Sequence, residues 1–275
     1  MVYRSIFVLI AICIVSSCLL YSSCNRRNSV MKNNQTGKYL KKVFNAPSGN
    51  LNYRIFYPEN FDPLKKYPLL LFMHGAGERG IDNEAQLIHG GDLIANGMNK
   101  HNAIAILPQC PKEDYWVKLD EDKTNNNGEK NFDIDVESGP SEALGRVIEL
   151  INKMKVDNYI DKRKIYVGGL SMGGMATFDL LWRMPNTFAA AMPICGAGSP
   201  AKARYMKSVP MRIFHGEDDS VVPVQKSKQM QDAIEVAGGN PEVFYYPGVN
   251  HDSWTSAFAE KDFLSWLFGN ELSTK

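Results

Sequence analysis

The chain has 275 residues, of which 44% are hydrophobic and 22% charged, with 31 Lys and Arg set against 30 Asp and Glu. That balance, with no long run of one sign, excludes a nucleic acid or an anionic membrane surface as an expected partner. A chain of this length buries one large core, and a single α/β sheet fills it.

The N-terminus differs in kind from the rest. Arg4 precedes an apolar run from Ile6 to Val15, followed by Ser16-Ser17-Cys18 and Ser22-Ser23-Cys24. A lone positive charge, an apolar stretch and small residues are the parts of a secretory signal. The stretch falls short of the ~20 residues that span a bilayer. We therefore expect an export signal over residues 1–24, with an uncleaved anchor as the alternative. Val15-Ser16-Ser17-Cys18 resembles a bacterial lipobox, and Ser22-Ser23-Cys24, preceded by Tyr21, is a second candidate. The expected location is secreted, periplasmic or outer-surface, with membrane attachment only through an N-terminal lipid on Cys18 or Cys24.

Residues 25–38 are polar without periodicity and read as a linker, which leaves 39–275 as one α/β domain. Lys42-Val43-Phe44 and Leu51 to Tyr57, around Ala46-Pro47-Ser48-Gly49, read as a hairpin. Short apolar runs then predict buried parallel strands at Leu69–Met73, Ala103–Leu107, Ile165–Val167, Ala189–Ile194, Met211–Phe214 and Val243–Tyr246. Helical period appears at Ser141–Val156, capped at Pro140-Ser141, and at Met172–Trp182, Val224–Val236 and Phe258–Leu267. Asp120–Gly139 is polar and reads as a solvated loop, with a lid over the site as the other reading. The alternation predicts a mostly parallel central sheet with helices on both faces, whose function gathers at the carboxyl ends of the strands. Cys110 and Cys195, the two cysteines beyond the leader, fall at the ends of non-adjacent strands and are expected to be buried free thiols.

The chemistry-bearing motifs stand at those strand ends. Gly169-Leu170-Ser171-Met172-Gly173 fits G-x-S-x-G between a strand and a helix, the sharp turn that lifts a serine oxygen above a sheet. A serine hydroxyl needs a base, and the base needs an orienting carboxylate. Asp219, in His215-Gly216-Glu217-Asp218-Asp219, is the candidate acid, with Glu217 and Asp218 as lesser ones. His251, on a Gly-flanked polar loop after the last strand, is the candidate base. Ser171, Asp219 and His251 follow one another at intervals of 48 and 32 residues, in the α/β-hydrolase order. The fold class expected is therefore the α/β-hydrolase fold with no large cap domain. Backbone donors for an oxyanion are expected from Met172 and, on the His74-Gly75-Ala76-Gly77 turn, from Ala76. His74 itself is expected to hold that turn through its side chain.

With these residues the chain resembles the compact exported α/β-hydrolase esterases near carbohydrate esterase family one, the prolyl-oligopeptidase-like or predicted peptidase group. The resemblance covers roughly residues 50–270. It rests on the Ser171 elbow, the His74-Gly75-Ala76-Gly77-Glu78-Arg79-Gly80 run, Pro108-Gln109-Cys110-Pro111 with Trp116, and His251-Asp252-Ser253-Trp254. It implies a serine carboxylic ester hydrolase that removes acetyl or feruloyl groups from plant polysaccharide or oligosaccharides, without metal or organic cofactor. Gln109, Trp116 and Trp254 are expected to line the substrate pocket, since aromatic surfaces suit phenolic and pyranose rings. Core packing is the competing role for Trp254. A serine peptidase with the same triad is the alternative function. Against it, the chain has no room for the propeller domain usual in that group. A hydrolase fold used only for binding would be expected to lack a triad member, and none is missing.

Overall fold

The computed structural model describes residues 35–120 and 132–273. The expected export signal over residues 1–24, with the lipid-attachment candidates Cys18 and Cys24, and residues 25–34 of the expected linker lie outside the described residues. So does the 121–131 part of the loop for which a lid was the second reading.

Eight strands form one sheet in the order β1-β2-β4-β3-β5-β6-β7-β8. Strands β1 (Tyr39–Ala46) and β2 (Gly49–Phe56) are the expected hairpin, paired antiparallel from Tyr39↔Phe56 to Ala46↔Gly49. Strand β2 joins β4 (Ile104–Gln109) antiparallel. The rest run parallel: β3 (Tyr67–Met73), β5 (Ile160–Leu170), β6 (Ala190–Ile194), β7 (Arg212–Gly216) and β8 (Glu242–Tyr246). This is the α/β-hydrolase fold expected from the sequence, and the strand ends that carry the motifs all point the same way.

Strand side chains alternate between faces, so each apolar strand serves two cores. Leu69, Leu71 and Met73 of β3 belong to one core, Leu70 and Phe72 to the other. The first core is closed by α2 (Glu142–Met154), α3 (Met172–Arg183) and α4 (Gln225–Val236). The second is closed by α1 (Gly91–His101), α5 (Trp254–Ala259) and α6 (Phe263–Phe268). Helix α2 begins where its cap signal stood, with Ser141 Oγ accepting from the Leu144 N–H at 3.1 Å.

Three readings are corrected. Helix α1 is not signalled by the sequence, because its two glycines and two asparagines are weak helix formers. Packing stabilises it instead: Ile94 and Met98 are buried, and Gly97 lies directly under Leu264. The expected final helix is two short ones, broken at Glu260, whose backbone is extended (φ −61°, ψ 125°). The break lets Phe258 and Phe263 meet edge to face at 5.4 Å. Within the expected solvated loop, Phe132 and Ile134 are buried, and Ile134 bridges back to Leu119. Cys110, after β4, and Cys195, after β6, are buried free thiols with two strands between their own.

Candidate active site

Ser171 caps α3 with φ 53° and ψ −117°, a strained conformation for a non-glycine residue. Its surroundings impose it. The Ser171 N–H donates to the Ile194 carbonyl (2.8 Å) while its own carbonyl already accepts from Met175 (3.0 Å), so the turn has no slack. A methyl group on Gly173 would sit 2.0 Å from the Met73 carbonyl oxygen, which is why helix α3 crosses β3 at a glycine. The first N–H of a helix has no intrahelical acceptor. The Met172 amide opens α3 in this way, and the Ala76 amide opens a short 3₁₀ turn over Ala76–Glu78. Gly75 brings that turn against the elbow, with its would-be Cβ 3.5 Å from Ser171 Cβ.

The loops after β7 and β8 bring the other two candidates to this point. His251 Nε2 lies 2.9 Å from Ser171 Oγ, and His251 Nδ1 lies 2.8 Å from Asp219 Oδ2. The carboxylate can only accept, so Nδ1 carries the proton and Nε2 is left to accept from the serine. Asp219 is 7% exposed, whereas Glu217 and Asp218 are exposed and, among the described residues, bond only through backbone. Burial raises the cost of ionising Asp219. The hydrogen bonds from His215, His251 and the amides of Val221 and Val222 outweigh it and hold the carboxyl well below the usual carboxylate range.

The sequence reading missed the groups that hold these partners. His215 is fully buried, and its Nε2 donates to Asp219 Oδ2 (3.1 Å) and to the Val222 carbonyl (2.8 Å). Its Nδ1 meets Ser227 Oγ at 2.7 Å. Asn250 ties the two loops together: its Oδ1 accepts from the Ser220 N–H and hydroxyl and from the His251 N–H. His215 was visible only as the first letter of the acid motif, and Asn250 only as the neighbour of His251.

A cavity of about 410 Å³ opens over Ser171 and His251, walled by Ala76, Glu78, Arg79, His89, Tyr115, Phe132, Leu170, Val221, Val222 and Trp254. A larger cleft of about 830 Å³, between Asp133, Glu137, Gly198 and Asp232, includes none of the three candidates. Of the expected pocket residues only Trp254 lines the cavity, its ring edge-on to His251 at 5.6 Å. Gln109 and Trp116 are corrected. Gln109 is buried and braces the loop after β3, accepting from Asn83 N–H (2.7 Å) and donating to the Glu78 carbonyl and Asp82. Trp116 is 0% exposed and donates its indole N–H to the His74 carbonyl at 3.1 Å. Both lie beneath the loop because β4, which leads to them, is on the far side of β3 from Ser171. His74 does hold the turn. Its Nε2 accepts from the Cys110 N–H (2.9 Å) and its Nδ1–H donates to the Gly75 carbonyl (2.6 Å). Burial lowers its pKa to about 4, so the ring is neutral.

Among the described residues, one group of metal-type ligands gathers: Cys195, Asp219 and His251, within 4.8 Å of one another. The donor chemistry does not suit an ion. Burial pushes the Cys195 thiol up to about 12, and the carboxylate and imidazole already satisfy each other.

Residues 62–267 match the family model described as phospholipase/carboxylesterase. The chain belongs to that family. Among solved structures of similar fold is a thermostable esterase, 32% identical, with a TM-score of 0.73 over 86% of this chain and 64% of that one. A carbohydrate esterase family one ferulic acid esterase from Anaeromyces mucronatus, 19% identical, superposes with a TM-score of 0.59 over 84% of this chain and 91% of its own. This likeness is one of fold. Curated relatives include a bifunctional acetylxylan esterase/xylanase of Neocallimastix patriciarum, 32% identical over 29% of this chain and 12% of its own. Another is dipeptidyl-peptidase 5 of Porphyromonas gingivalis, 20% identical over 80% of this chain and 36% of its own. The chain spans no more than about a third of these two relatives' length. Membership therefore agrees with the resemblance drawn from the motifs.

Proposed function

We propose that the chain is a serine carboxylic ester hydrolase that works through an acyl-enzyme. The observation that carries this reading is the unbroken relay from Ser171 Oγ through His251 to Asp219 Oδ2, at 2.9 and 2.8 Å, on the wall of an open cavity. His251 Nε2 takes the hydroxyl proton as Ser171 Oγ adds to the ester carbonyl. Asp219 stabilises the imidazolium, and the Ala76 and Met172 amides receive the oxyanion. Collapse of the intermediate expels the alcohol, which takes the proton from His251. Water, deprotonated by the same nitrogen, then releases the acid and restores Ser171. Every proton is handled by the chain's own groups, so the cycle calls for no metal or organic cofactor.

The substrate class we propose is acetyl or feruloyl esters of plant polysaccharide or its oligosaccharides. The acetylxylan esterase and ferulic acid esterase relatives support it, as does an open cavity with an aromatic wall at Trp254 and Tyr115. We propose further that 39–275 is the catalytic domain and that residues 1–24 export it. No described helix is long and apolar enough to cross a membrane. A peptidase reading draws on the dipeptidyl-peptidase relative. One panel separates these readings: p-nitrophenyl acetate, acetylated xylan, methyl ferulate, a chain-length series of p-nitrophenyl esters and a prolyl p-nitroanilide. Ester turnover that favours short acyl groups and disappears in Ser171→Ala is the expected result. Faster cleavage of the anilide, or an optimum at eight or more acyl carbons, would refute it.

A further inference from the structure

Two buried acids stand beside Ser171, and they are treated oppositely by the fold. Asp219 receives four hydrogen bonds. Glu78 is almost as buried, at 8% exposure, yet its carboxylate has one polar partner among the described residues, His89 Nε2 at 3.5 Å. A carboxylate offers about four acceptor positions, and the Glu78 oxygens, which are not sealed from the cavity, are left by the protein to water or to a ligand there. Glu78 faces the cavity over Ser171, so its missing donors must come from whatever enters there. Its position is close to the chemistry. A methyl group placed on Gly75 would lie 3.1 Å from Glu78 Oε2 and 3.5 Å from Ser171 Cβ, so carboxylate and nucleophile border the same small space.

The neighbouring groups narrow the occupant. Arg79 is fixed on the same wall by three carbonyls: its Nε donates to Ala76 (3.0 Å), and its Nη1 to Lys112 (3.3 Å) and Asp114 (3.0 Å). Its Nη2 has no acceptor among the described residues, and the guanidinium lies 5.6 Å from the Tyr115 ring centre. His89 packs on Trp254 at 5.1 Å, and Trp254 on His251, so the wall runs without a gap from Glu78 to the base. An ammonium would suit Glu78 but meet Arg79, and an anion would suit Arg79 but meet Glu78. A neutral polyol satisfies both, because each hydroxyl donates and accepts and the C–H face of a sugar ring packs on an indole.

We propose that Glu78, Arg79 and Trp254 form a subsite for the sugar that carries the ester, and that Glu78 selects substrates with a free hydroxyl next to the acylated one. This rests on the ester-hydrolase reading above. The test compares kcat/KM for 2-O-acetyl methyl β-xylopyranoside, for the per-acetylated sugar and for p-nitrophenyl acetate, in the parent chain and in Glu78→Gln. The parent should prefer the mono-acetylated sugar to the per-acetylated one by roughly tenfold or more, the scale of one hydrogen bond to a charged group. In Glu78→Gln the ratio of mono-acetylated sugar to p-nitrophenyl acetate should fall by about tenfold, mostly through KM. Equal use of the two sugars by the parent overturns the subsite, and that measurement stands even if the variant fails to fold. An unchanged ratio in a folded variant also overturns it. Loss of a prolyl p-nitroanilide activity in Glu78→Gln would instead assign the carboxylate to an ammonium. If no ester is turned over by the parent, the ester-hydrolase reading falls. If p-nitrophenyl acetate is turned over but the sugar ratios do not move, only the subsite falls.

Discussion

Asp219→Asn is the most exacting perturbation of the site, because both oxygens of the carboxylate are fully used. Oδ1 accepts from the Val221 and Val222 amides (2.8 and 2.9 Å), and Oδ2 from His251 and His215 (2.8 and 3.1 Å). An asparagine has one oxygen and one NH₂, so one pair of donors must face a donor. If the NH₂ faces the amides, the buried Val222 N–H is orphaned at about 1–3 kcal/mol and the part-buried Val221 N–H also loses its acceptor. The rotamer with NH₂ toward the histidines is therefore the cheaper. His251 Nδ1 must then accept, its proton moves to Nε2, and Ser171 loses its base. A related triad altered in this way lost ~10⁴-fold in kcat, about 5.5 kcal/mol of transition-state stabilisation. The variant should stay folded, with a Tm lower by several degrees for the lost charge-assisted bonds. Initial rates on p-nitrophenyl acetate, with circular dichroism on the same sample, test this. A folded variant within tenfold of the parent rate would refute the tautomer argument, and equal damage from Asp218→Asn would refute the choice of acid. The stability difference should also depend on pH. The folded-state pKa of Asp219 is depressed, so its contribution is complete above the unfolded value of about 3.9 and is lost as pH falls below it. The two proteins should converge in acid.

Other substitutions probe the supporting structure. His215→Phe removes one of the four donors to Asp219 and should lower kcat about tenfold or more, while His215→Gln, which keeps an N–H near Nε2, should recover much of it. Equal loss in both would mean the ring only fills space. His74 is held neutral by burial with a pKa of about 4. The unfolded chain therefore takes up a proton below about pH 6.5 that the folded chain refuses until about pH 4, costing up to about 3 kcal/mol across that window. Urea titrations at pH 7, 5.5 and 4 should show the decline, and His74→Gln should flatten it. Gly173→Ala should abolish activity and sharply reduce soluble yield, since the new methyl would stand 2.0 Å from the Met73 carbonyl oxygen. Parent-like melting of that variant would contradict the close approach of α3 to β3.

Much of this architecture is written in local pattern. Apolar runs with turns between them place the parallel strands, because a strand covered on both faces needs apolar residues throughout, and the Ser141 cap locates α2 to the residue. The positions of Ser171, Asp219 and His251 follow from strand ends and chain order, and the structure brings their side chains to 2.8–2.9 Å. What the sequence could not determine is which way a polar or aromatic side chain turns once it leaves a strand. Gln109 and Trp116 read as pocket residues, yet the loop after β3 lies over them and takes their hydrogen bonds for itself. Glu78 read as one letter of a motif, and only the packing of Gly75 against the elbow sets its carboxylate beside Ser171. Helix α1 likewise has no local signal and exists because Leu264, far along the chain, rests on Gly97. Period and chain order are properties of neighbouring residues, whereas burial and hydrogen-bond partnership join residues such as Asp219 and His251, His74 and Trp116, or Gly97 and Leu264, which lie 32, 42 and 167 (264 − 97) positions apart and meet only when the sheet is assembled.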